Sequence, residues 1–131
     1  EIDFSSQQEM ATYLPGAIAT FKKNKMPFES AKLSASYGTI LCHKGDFVNA
    51  QTFLLDSYRV LNQMDSIKSI INVCINIGST YAYNKSTKKS LEYYKKAYDA
   101  AIKYIAKNLY GSSAEAVFSG GFNNEVRQYP V

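Results

Sequence analysis

The chain reads as an all-α protein, a solenoid of antiparallel helix pairs, and three observations predict it. Apolar residues recur at helical spacing through five segments. Polar or glycine-bearing turns separate these segments. The pattern then repeats after 40 residues: Tyr37 to Leu61, YGTILCHKGDFVNAQTFLLDSYRVL, has the grammar of Ile77 to Tyr104, IGSTYAYNKSTKKSLEYYKKAYDAAIKY. Each stretch is the end of one amphipathic helix, a short turn, and a second helix. One such unit cannot bury its apolar face alone, so a repeat at this period implies stacked neighbours.

The first element spans residues 5–25, with Met10, Tyr13, Leu14, Ala17, Ile18 and Phe21 at helical spacing. Pro15 and Gly16 interrupt it, which predicts a bend near Leu14 or a split there. Asn24 to Pro27 forms a turn. A second helix follows from about Phe28 to His43, with Leu33, Tyr37, Ile40 and Leu41 on its buried side. Lys44-Gly45 closes it, since glycine tolerates the left-handed position beyond a helix end. Asp46 suits the N-cap of the third helix, Phe47 to Asn62. Asp65 or Ser66 caps the fourth, about Ile67 to Tyr83, where Ile70, Val73, Cys74, Ile77 and Tyr81 are the apolar positions. Asn84-Lys85 and Ser86 take the places of Lys44-Gly45 and Asp46 before the fifth helix, Thr87 to about Leu109. Beyond Gly111 the glycine and asparagine pairs and Pro130 argue for irregular chain.

The register holds column by column. Gly38 matches Gly78, where two helices must approach closely. Tyr13, Phe53 and Tyr93 align, then Leu14, Leu54 and Tyr94, then Ala17, Ser57 and Ala97, then Ile18, Tyr58 and Tyr98, then Phe21, Leu61 and Ala101. The first helix is thus the second half of an incomplete repeat. Residues 1–110 make one repeat domain, with a half repeat at 5–25 and full repeats at 28–62 and 67–109. Residues 111–131 are an irregular tail or the start of a further repeat.

Composition narrows the function. The net charge of +4 comes from lysine, with arginine only at Arg59 and Arg127. A scattered lysine population, dense only at Lys85, Lys88, Lys89, Lys95 and Lys96, reads as a solvated helix face and argues against nucleic acid. Eleven tyrosines suit helix interfaces that are half in water. Cys42 and Cys74 lie inside helical patterns without metal-ligand spacing, so they read as small hydrophobes and leave the compartment open, the cytoplasm being favoured. No apolar run has the length of a membrane span, and membrane contact is not expected. Glu1 at the start and Pro130 before Val131 suggest a piece of a longer protein.

On the residues Gly78, Tyr81, Ser90, Tyr94 and Ala97, and Gly38, Leu41, Ala50, Leu54 and Ser57, the chain resembles the tetratricopeptide repeat family. Gly45-Asp46-Phe47 is similar to that family's Gly-Asp-Tyr turn. The likeness covers about residues 5 to 110. The period is 40 and not 34, the closing proline is missing and tryptophan never occurs, so longer-period members are the better match. The resemblance implies a right-handed superhelix whose first helices line a concave, protein- or peptide-binding surface.

On those helices a polar stripe runs beside the apolar one: Lys32, Ser36, Thr39 and His43, then Asn72, Asn76, Ser79 and Tyr83. The spacing i, i+4, i+7, i+11 keeps each set on one face. Asparagine amides can pair with a peptide backbone, Lys32 offers a charge to a carboxylate, and Tyr83 a flat ring. Catalysis is not expected. His43, the sole histidine, projects about 100° away from adjacent Cys42, no phosphate loop is present, and neither cofactor nor metal is implied. The expected task is protein or peptide binding as the sensing or interaction part of a larger regulatory protein. The alternative is a homodimer formed by pairing of solenoid ends.

Overall fold

The computed structural model describes residues 4–64 and 66–110; the expected tail at 111–131 and the cap at Asp65 lie outside the described residues. Five helices and no strand occur among them: α1 Phe4–Lys23, α2 Pro27–His43, α3 Phe47–Leu61, α4 Ile67–Tyr83 and α5 Thr87–Tyr110. Each helix packs on the next in sequence, α2 also reaches α4, and no contact joins α1 to α5.

Pro15 neither splits nor ends α1. The ring is exposed, so the bond it removes lies on the side open to water. Leu14 and Ile18, on either side, are buried and hold the rod to the core.

Three helix ends share one turn. The N–H groups of Met26, Asp46 and Ser86 donate to the carbonyls of Phe21, Leu41 and Tyr81, five residues back. The residue before each is left-handed: Lys25 at φ 57°, Gly45 at 83° and Lys85 at 61°. This is the Schellman closure, which satisfies helix-end carbonyls at the cost of one strained residue unless that residue is glycine. The α1–α2 join therefore has the geometry of the α2–α3 and α4–α5 joins, while the α3–α4 join does not. Asp46 caps α3, accepting from the Asn49 N–H at 3.4 Å and its side-chain amide at 2.9 Å. Ser66 occupies the N-cap of α4 but makes no side-chain cap bond.

Within the pairs the helices run antiparallel. Gly38 lies against Leu54, and the Ser57 hydroxyl donates to the Ala31 carbonyl at 2.8 Å. In the second pair Gly78 lies against Tyr94, and the Ser90 hydroxyl donates to the Gly78 carbonyl at 2.9 Å. The core runs through Ala31, Leu41, Ala50, Leu54, Leu61, Ile70, Val73, Cys74, Ile77 and Ala97. One aromatic column departs from its register. Phe53 packs edge-on to Tyr37 and Tyr93 packs against Tyr58 and Tyr81, whereas Tyr13 is 70% exposed. Among the described residues no helix precedes α1 to cover it.

Candidate functional site

A groove of about 440 Å³ opens between α1, α2 and α4. Its floor is apolar, with Met10, Ala35, Ile40, Leu61 and Val73, and its rim is polar. The whole α2 stripe, Lys32, Ser36, Thr39 and His43, lines it, joined from α4 by Asn72. Lys32 and His43 project from the exposed side of α2 because its opposite side, through Ala31, Ser34, Gly38 and Leu41, is committed to burial. No carboxylate stands among the lining residues. The Lys32 ammonium sits 4.6 Å from the centre of the Phe28 ring, which holds it over the α2 surface.

The other three stripe residues of α4 are already engaged within the fold. The Asn76 amide donates to the Thr39 hydroxyl at 2.9 Å, which in turn donates to the Ala35 carbonyl at 2.9 Å. This chain of bonds pins α4 to α2 beside the groove. Ser79 meets the Tyr94 hydroxyl of α5 at 3.1 Å. Tyr83 stacks on Phe47 of α3 with ring centres 4.3 Å apart and planes 24° from parallel. The stripe thus divides along its length: Asn72 faces the groove, Asn76 serves as a helix-to-helix tie, and Ser79 and Tyr83 contact other elements.

Gln7, Met10 and Ser69 also line the groove; the sequence placed Met10 only among the apolar positions of its helix and did not mark the other two. Ser69 precedes Asn72 by three residues, a spacing that places both on one face. Gln7 and Met10 carried no such signal, since they reach the groove only because α1 lies across α2.

Neither cysteine belongs to the groove. Both are free thiols, Cys42 half-buried and Cys74 fully buried. Burial raises the pKa of Cys42, and pushes that of Cys74 from 9.0 up to about 11 against a smaller opposing effect of Lys96. At neutral pH both remain protonated and unreactive. Among the described residues no three His, Cys, Asp or Glu side chains gather to hold a metal ion, and no helix is long and apolar enough to cross a membrane.

The chain matches no protein-family model, no curated protein and no solved structure.

Proposed function

We propose that this chain is a protein- or peptide-binding helical-repeat scaffold, serving as the interaction or sensing part of a larger regulatory protein. In this reading the helix pairs stack as a right-handed, tetratricopeptide-like superhelix, and the chain binds without catalysing. The observation that supports it is the groove between α1, α2 and α4. A polar rim from two first-position helices surrounds an apolar floor at a volume suited to a few side chains of a bound segment.

Binding would rest on pre-organisation. The Asn76–Thr39–Ala35 bonds hold α2 and α4 in fixed spacing before any partner arrives, so little ordering remains to oppose association. Asn72 can pair with one amide of an extended backbone, while Met10 and Val73 accept an apolar side chain.

A random peptide-display library selected on the full chain tests this. Peptides enriched on the native protein should lose affinity by at least about tenfold on a Lys32→Ala/Asn72→Ala double variant of unchanged helicity. Retention of full affinity on that variant rejects the groove as the site. Failure to enrich any sequence rejects the peptide-binding reading.

A further inference from the structure

One break in the local helix grammar has no packing reason. Pro15 stands inside α1, where it offers the Ala11 carbonyl no N–H, and Gly16 follows it. Glycine is, proline apart, the weakest helix former, yet a Cβ at Gly16 would meet nothing within 4 Å. The backbone there does not call for glycine either, since Gly45 is the left-handed glycine among the described residues. A local rule broken without a packing reason marks a functional place.

The dipeptide divides α1 into unlike halves. From Leu14 onward the helix is anchored. Leu14 and Ile18 are buried, the Ser30 hydroxyl donates to the Ile18 carbonyl at 3.5 Å, and Lys22 pairs with Asp56 of α3 at 2.9 Å. Ahead of Leu14, none of residues 6–13 is buried. Yet this half supplies Gln7 and Met10 to the groove. The opposite side is rigid by comparison, because the Asn76–Thr39–Ala35 bonds fix α4 to α2.

We infer that residues 4–13 form a hinged wall of the groove, which swings about Pro15-Gly16 to admit a bound segment and closes on it through Gln7 and Met10. This rests on the groove being a binding site, as proposed above. Opening uncovers no enclosed side chain of residues 6–13, so it draws on the low end of local stability. The missing bond and the missing side chain let two adjacent residues absorb the backbone rotation. The Thr20 hydroxyl shares the Gly16 carbonyl at 2.8 Å, a back-bond that loosens the ladder just beyond the hinge. Met10 is unbranched and polarisable, so it can follow the shape of different apolar side chains as the wall closes. Once detached, a helix of about 10 residues is marginal in water. Swinging away and melting therefore go together, and hydrogen exchange reads both.

Native-state hydrogen exchange on the full chain tests the hinge. Amides 8 to 13 should open as one unit, about tenfold less protected than amides 18 to 23 of the same helix, with the step at Pro15. Pro15→Ala/Gly16→Ala should raise their protection about tenfold. Neither change disturbs the core, since Pro15 is exposed and Gly16 faces open space. Equal protection in the two halves overturns the proposal. So does protection that fades residue by residue toward the N-terminus, the mark of ordinary fraying.

Closure is read with peptides enriched from a random display library on the native chain. Their binding should raise the protection of amides 8 to 13 about tenfold, and the stiffened variant should admit them about tenfold more slowly. A peptide whose affinity depends on Lys32 and Asn72, but which leaves amides 8 to 13 unchanged, overturns the hinged wall and spares the groove. Failure to enrich any peptide removes the groove, and the wall's role with it, even where the free chain hinges.

Discussion

The pair α2–α3 and the pair α4–α5 answer the same packing problem with different residues. In each, a glycine on the first helix lets the second come close. A Cβ at Gly38 would fall 2.6 Å from Leu54, and one at Gly78 would fall 2.7 Å from Tyr94. Leu54 is fully enclosed, because α4 covers the first pair, while Tyr94 remains 37% exposed. A second matched column makes the same point. Ser34 and Cys74 stand 40 residues apart and are both wholly buried, yet the Ser34 hydroxyl finds no partner and the thiol needs none. The two glycines therefore set where a close approach occurs, and the neighbours set how much it costs.

The sharpest way to break the comparison is at the glycine-facing positions. Leu54→Ala should destabilise by about 3–4 kcal/mol, since it opens a cavity in an enclosed core. Tyr94→Ala should cost only about 1 kcal/mol, because its ring already meets water. Denaturant titration of the two variants measures the gap, and equal losses would mean that α4–α5 is as enclosed as α2–α3.

The buried Ser34 and Cys74 column sharpens it through pH. The thiol at Cys74 has its pKa raised from 9.0 to about 11 in the fold, so the folded state holds its proton where the unfolded chain releases it. Stability conferred by the neutral thiol is complete below pH 9 and is lost as pH rises toward the folded pKa, at about 1.4 kcal/mol per pH unit. Cys74→Ser should reduce that slope between pH 9 and 10, leaving the part that Cys42 and Tyr93, whose pKa values burial also raises, contribute in both proteins. An unchanged slope would place the alkaline sensitivity elsewhere.

The smallest effect is expected at the two matched turns. Lys85 at φ 61° carries a strain that Gly45 at φ 83° avoids. Lys85→Gly should therefore stabilise by about 1 kcal/mol and Gly45→Ala should destabilise by a similar amount. Thermal unfolding of the two variants reads both signs.

Much of the helical layout was legible in the residues, because amphipathic spacing and turn chemistry are local. The bounds of α4 and the Asp46 cap follow from single stretches of a few residues. The expected split at Pro15 does not occur, because tertiary packing of Leu14 and Ile18 outweighs one lost hydrogen bond on an exposed side. The candidate groove was half legible. The α2 stripe and Asn72 were visible as one-face spacing, but Gln7 and Met10 join only through the placement of α1 across α2.

By itself the sequence determined an all-helical chain with a 40-residue echo, since the period of apolar residues and the glycine columns are properties of neighbouring residues. Only the tertiary structure decided which polar residues remain open to a partner. Spacing put Asn72, Asn76, Ser79 and Tyr83 on one helix face. It took the positions of Thr39 and Tyr94 on two other helices to engage Asn76 and Ser79, while Tyr83 stacks on Phe47 yet stays 61% exposed and Asn72 lines the groove. The physical reason is range: periodicity fixes where a side chain points on its own helix, while its partner comes from a segment far away along the chain.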